Sequence, residues 1–122
     1  MDIEHFALNV ADPVEMAQWY VSHLGMRIVK QKKEAPFTVF LADSADNVML
    51  EIYGNRQAPV PDYPNMDPLV LHLAFADPQP EATKRRLADA GATFVEELRL
   101  PGGVHLLMMR DPWGLALQFC KR

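Results

Sequence analysis

The chain contains one unit twice. His5-Phe6-Ala7-Leu8 returns as His72-Leu73-Ala74-Phe75, and Val48-Met49-Leu50-Glu51-Ile52-Tyr53 returns as Leu115-Ala116-Leu117-Gln118-Phe119-Cys120. His5 and His72 are 67 residues apart, and so are Glu51 and Gln118. Between these matched ends, Asp12-Pro13 and Asp77-Pro78 each open an amphipathic stretch that closes near Gly25 or Gly91. One unit of about 53 residues buries too little apolar surface to stand alone, so the two are expected to pool their sheets over a core.

Each unit reads as βαβββ. In the first, Ile3 to Val10 is expected as a strand. Pro13 to His23 is expected as a helix, with Asp12 as N-cap and Gly25 at the stop. Met26 to Lys30, Phe37 to Ala42 and Val48 to Tyr53 follow as strands, with Asp43 to Asn47 as a turn. In the second unit the strand is Leu69 to Phe75 and the helix Pro80 to Ala90. The remaining strands are Phe94 to Leu98, Val104 to Arg110 and Leu115 to Cys120. Pro101-Gly102-Gly103 and Asp111-Pro112-Trp113-Gly114 are the turns. The fold class is α+β, with a first module over residues 1–53, a linker over 54–68 and a second module over 69–122. The linker holds four of the ten prolines and is expected to lack regular structure.

Composition narrows the function classes. Twelve Lys and Arg against sixteen Asp and Glu leave a net charge of −4, without the broad basic surface that nucleic-acid binding needs. No apolar run approaches the roughly 20 residues of a membrane span, and the N-terminus lacks the basic and apolar regions of a signal peptide. Cys120 is the single cysteine, which excludes an intrachain disulfide and favours a cytoplasmic location.

Strand alternation then sorts the side chains by face. Phe6, Leu8 and Val10 share one face of the first strand, and His5 and Ala7 take the other. Leu50 and Ile52 oppose Met49, Glu51 and Tyr53. In the second unit Leu71, Leu73 and Phe75 oppose His72 and Ala74, and Leu115, Leu117 and Phe119 oppose Ala116, Gln118 and Cys120. His5, Glu51, His72 and Gln118 therefore fall on the side away from the helices, at matched positions, with small Ala7, Ala74 and Ala116 beside them. A carboxylate on an apolar strand face is costly unless paired or coordinated. Two imidazoles, a carboxylate and an amide oxygen form a mixed N/O donor set for Zn²⁺, Ni²⁺, Fe²⁺, Mn²⁺ or Co²⁺ with positions left open.

The sequence resembles the vicinal oxygen chelate superfamily, which includes glyoxalase I, bleomycin-resistance proteins, fosfomycin-resistance enzymes and extradiol dioxygenases. The resemblance lies in Ile3 through Val10, Trp19-Tyr20 through Leu24-Gly25-Met26, Met49-Leu50-Glu51-Ile52, Leu71 through Phe75, and Asp111-Pro112-Trp113-Gly114 through Phe119. It implies paired βαβββ modules in a U-shaped mixed sheet, helices outside, around a metal, in a homodimer. Carried over by residue, it implies ligands at His5, Glu51, His72 and Gln118. Glyoxalase I usually has Glu at the last position. Gln offers an amide oxygen but cannot accept a proton, so Glu51 is the expected catalytic base. The expected activity is a glyoxalase-like lyase or isomerase reaction on a small molecule held through two neighbouring oxygens. The alternatives are a metal-free protein that sequesters a small ligand or drug, and, less favoured because of Gln118, an extradiol-type dioxygenase using His5, His72 and Glu51.

Tyr53, His105 and Trp113 are candidates for the substrate pocket. His105 has no counterpart in the first unit, where Thr38 answers to it, and the blander expectation for it is an exposed strand histidine. Cys120 shares the face of Gln118 and reads chiefly as a small packed residue.

Overall fold

The computed structural model describes residues 1–122 as two compact units, Met1–Pro61 and Asp62–Arg122. In the first, the order is β1 (Phe6–Asn9), α1 (Pro13–Leu24), β2 (Arg27–Gln31), β3 (Val39–Ala42) and β4 (Met49–Tyr53). The sheet runs β1-β4-β3-β2, with β1 parallel to β4 and the other neighbours antiparallel. A parallel neighbour cannot be reached by a hairpin, and α1 lies within the connection between the pair.

Local chemistry sets the ends of α1. The Asp12 carboxylate accepts from the Glu15 amide, Pro13 occupies the first turn, and Gly25 takes the left-handed φ of 69° that stops the helix. One face of α1 buries Met16, Ala17, Trp19 and Tyr20, and the sheet buries Val39, Leu41, Leu50 and Ile52. Burial of each of the Met, Val, Leu and Ile side chains among them stabilises the unit by about 1.5–3 kcal/mol.

The second unit contains a 3-10 turn (Tyr63–Asn65), then β5 (Leu73–Ala76), α2 (Pro80–Asp89), β6 (Thr93–Leu100), a 3-10 turn (Pro101–Gly103), β7 (Val104–Arg110) and β8 (Ala116–Lys121). Its sheet, β5-β8-β7-β6, repeats the topology of the first, with β5 parallel to β8. Leu87 of α2 is fully buried, as are Leu107, Met109 and Leu117 of the sheet. Both units are thus βαβββ, and the class is α+β.

Several features differ from the sequence reading. The strand expected from Phe37 begins at Val39, because Phe37 sits at a φ of 58° in a turn closed by the hydrogen bond from its amide to the Glu34 carbonyl. The strands expected from Ile3 and Leu69 begin at Phe6 and Leu73. Ahead of β5, Asp67 curls the chain by accepting from the Leu69 amide on its side chain and the Val70 amide on its carbonyl. Local turn bonds thereby replace a ladder, and Leu69 and Val70 stay exposed. The strand expected to end at Leu98 runs to Leu100, because β7 is long enough to pair with it as far as Val104.

The proline-rich segment, expected to lack regular structure, contains the 3-10 turn Tyr63–Asn65, and side chains of each unit hold its own part of it. Asn9 donates its amide to the carbonyls of Asn55 and Ala58 at 3.0 Å and accepts from the Asn55 amide at 2.8 Å. In the second unit, Arg110 donates to the carbonyls of Tyr63, Gly114 and Met66 at 2.9, 2.9 and 2.8 Å. A Cβ at Gly114, where φ is +92°, would lie 2.6 Å from the Pro64 nitrogen. Glycine is therefore required there both for space and for backbone conformation.

Candidate functional site

In β4, Leu50 and Ile52 are buried towards α1, leaving Met49, Glu51 and Tyr53 half-buried on the opposite face. Ala7 is the partner of Glu51 on the parallel side and Phe40 on the antiparallel side. His5 lies one residue before β1 and two before Ala7, which brings its side chain to the same face. Its Nε2 stands 3.0 Å from Glu51 Oε2. The Phe40 ring meets the imidazole edge-on at 6.2 Å. The Glu51 side chain is 17% exposed and that of His5 37%, so Glu51 is half-buried and His5 lies at the surface beside it.

His5 Nδ1 bonds the Glu4 carboxylate. The hydrogen bond that His5 donates to Glu4 raises the His5 pKa above its usual value, opposed by desolvation and aided by the charges of Glu4 and Glu51. With Nδ1 turned to Glu4, Nε2 meets Glu51 through a shared proton. The same two atoms could serve as ligands to a divalent cation. The Glu4-His5 contact is also the carboxylate–histidine arrangement that orients metal ligands.

The second unit repeats the register of this pair. Gln118 pairs with Ala74, and His72 lies two residues before Ala74, just ahead of β5. His72 Nδ1 is 2.7 Å from the Pro68 carbonyl, which makes Nδ1 the donor and leaves the Nε2 lone pair for a ligand. Gln118 Oε1 accepts from Cys120 Sγ at 3.3 Å and keeps a second lone pair. His5 and Glu51 are thus in direct contact in one unit. In the other, His72 lies two residues before Ala74, the register partner of Gln118, and both histidines have Nδ1 held by an oxygen.

Of the pocket candidates, Tyr53 is half-buried on the Glu51 face, opposite Asn9. Trp113 lies in the turn held by Asp111, whose Oδ1 accepts from the Trp113 and Leu115 amides. His105 differs from expectation. It pairs with Lys121, whereas Leu106 pairs with Cys120, so His105 faces α2, away from Gln118. It is 5% exposed rather than an exposed strand histidine. Its alternation with buried Leu107 and Met109 was the signal for this in the sequence.

His105 belongs to a cluster that sequence reasoning missed. Its Nε2 lies 2.9 Å from Glu97, and donor atoms of Glu81, Glu97 and His105 all lie within 4.8 Å of one another, a spacing that could hold a metal ion. Cations already satisfy both carboxylates. Lys84 meets Glu97 at 2.9 Å, and Arg99 meets Glu81 at 2.8 Å. Hydrogen bonds from Lys84 and then His105 lower the Glu97 pKa. No local motif joins a helix carboxylate to two strand residues, so only the packing of α2 on β6 and β7 discloses the group.

Comparison with known proteins agrees with this architecture. The chain matches no curated protein. Among solved structures it is similar to a glyoxalase family protein from Enterococcus faecalis, with 26% identity, a TM-score of 0.69 and coverage of 98% of this chain and 97% of the other. It is also similar to TnmS3, an antibiotic binding protein from Streptomyces sp. CB03234, with 16% identity, a TM-score of 0.73 and coverage of 98% and 93%. A third is a member of the glyoxalase/bleomycin resistance protein/dioxygenase superfamily from Sphaerobacter thermophilus, with 15% identity, a TM-score of 0.75 and coverage of 100% and 98%. The latter two likenesses are of fold alone. The family model for the same superfamily matches residues 2–119, and the chain therefore belongs to the glyoxalase/bleomycin resistance protein/dioxygenase superfamily.

Proposed function

We propose that this protein is a glyoxalase-like, metal-dependent lyase or isomerase that holds a small molecule through two neighbouring oxygens. Its donor set is His5, Glu51, His72 and Gln118, for a divalent Zn, Ni, Fe, Mn or Co ion. The observation that carries the reading is the His5–Glu51 contact at 3.0 Å, together with Nδ1 of each histidine tied to an oxygen. The donors fit such an ion, since each imidazole can present Nε2, Glu51 is shielded, and Gln118 retains an acceptor lone pair. Bound there, the metal would act as a Lewis acid towards an oxyanion forming on the substrate.

The remaining chemistry falls to the chain. Glu51 is the carboxylate of the set and takes or returns the proton. Glu4 and Pro68 hold the imidazoles in orientation. Gln118 orients through its amide and cannot act as a base. Tyr53 borders the Glu51 face and supplies an aromatic wall with a polar tip. Leu98 and Leu100, about half exposed along β6, support a homodimer. No helix is long and apolar enough to cross a membrane. A cytoplasmic location is supported by the single, unpaired cysteine.

A second reading is a metal-free protein that sequesters a small ligand. It is favoured by Gln118 standing where an acidic ligand would serve better, with its oxygen engaged by Cys120. The fold shared with an antibiotic binding protein is compatible with it. Glu51→Gln separates the two. An enzyme loses turnover by about 10²–10⁴-fold, whereas a sequestering protein keeps most of its ligand affinity.

A further inference from the structure

We infer that the second unit carries an additional site, for a small carboxylate- or phosphate-bearing anion, on the α2 side of its sheet. A cavity of about 360 Å³ opens there between the start of α2 and the adjoining ends of β6, β7 and β8. Its charged lining is Arg85, Arg99 and Lys121 against Glu81 alone, with Gln79 and His105 completing the polar wall. Glu81 is shared between two guanidiniums, at 2.8 Å from Arg99 and 3.6 Å from Arg85. Lys121 forms no ion pair. Glu97 does not offset the excess, because Lys84 and the buried His105 already engage it.

Three cations facing one carboxylate across a concave surface leave a positive potential that a bound anion would neutralise. Guanidiniums add the forked donors that suit carboxylate and phosphate oxygens. Glu81, Glu97 and His105 also have the spacing of a cation site. A metal ion there would have to displace Lys84, Arg85 and Arg99 from their carboxylates, so the charge balance selects an anion. The site lies on the face of the sheet opposite Gln118 and does not depend on the metal reading.

Amide chemical shifts of the full chain test the inference, with inorganic phosphate and succinate titrated separately at constant ionic strength against chloride. The expected result is a saturable shift confined to Ala82, Arg85, Gly103 and Lys121 with at least one of the two, and the active arm identifies the headgroup. Arg99→Gln and Lys121→Gln should each weaken binding about tenfold. Glu81→Gln should tighten it, since it removes the competing carboxylate. Shifts that fail to saturate, or that are shared with Lys30, Lys32 and Lys33, overturn the inference. So does a stoichiometric response to zinc that is lost in Glu81→Gln, with neither anion bound.

Discussion

His5 Nε2 and Glu51 Oε2 stand 3.0 Å apart, although one precedes the edge strand of its sheet and the other lies in the strand beside it. Parallel pairing of Ala7 with Glu51 creates that proximity. Replacing Glu51 with Gln preserves shape and hydrogen bonding but removes the charge and the base. Turnover in that variant should fall by about 10²–10⁴-fold, and metal uptake should weaken with it. Parallel activity and metal-binding assays on Glu51→Gln check this.

Glu4 contacts His5 Nδ1, and in the proposed site it would orient that imidazole as a ligand. Glu4→Gln should lower metal affinity by about 10–100-fold while leaving thermal stability nearly unchanged, because Glu4 is exposed. Competition with a chromogenic chelator measures the affinity. An unchanged affinity would assign Glu4 no orienting role.

The Glu97 carboxylate is held below its ordinary pKa by hydrogen bonds from Lys84 and His105. A depressed carboxylate pKa contributes stability above the unfolded value, near 4.5, and that contribution disappears as pH falls through the lower folded value. Lys84→Met removes the largest cause. Its Tm should fall below that of the parent at neutral pH, and the gap should close under acid conditions. A gap independent of pH would point to lost packing of Lys84 on the Phe94 ring instead.

Arg110 clamps the Tyr63–Met66 segment through the carbonyls of Tyr63 and Met66 and also holds the Gly114 carbonyl. Arg110→Ala should speed amide hydrogen exchange at residues 63–70 more than in β7 or β8. Gly114→Ala should cost at least about 1 kcal/mol in the same segment, since the alanine Cβ meets Pro64 and the residue sits at positive φ. Leu107→Ala, in the core of the second unit, should cost about 2–5 kcal/mol without changing that local exchange pattern.

The duplication made the βαβββ order and the faces of Glu51 and Gln118 readable, because strand alternation depends only on neighbouring residues. The Asp12 cap and the Gly25 stop were readable for the same reason. Leu69 and Val70 misled, since apolar character signals a strand only where a partner is available. His105 was misplaced because Gly102 and Gly103 beside it suggested an exposed loop, whereas its register with Lys121 turns it inward. Glu81 and Glu97 join through the packing of α2 on β6, and nothing within either segment announces that contact.

Metal content is the measurement closest to the main proposal. The purified chain should contain, or take up on titration with Zn, Ni, Fe, Mn or Co, close to one divalent ion per chain, and His5→Ala and His72→Ala should each abolish tight uptake. A chain that holds no divalent metal and binds none of these ions would contradict the account.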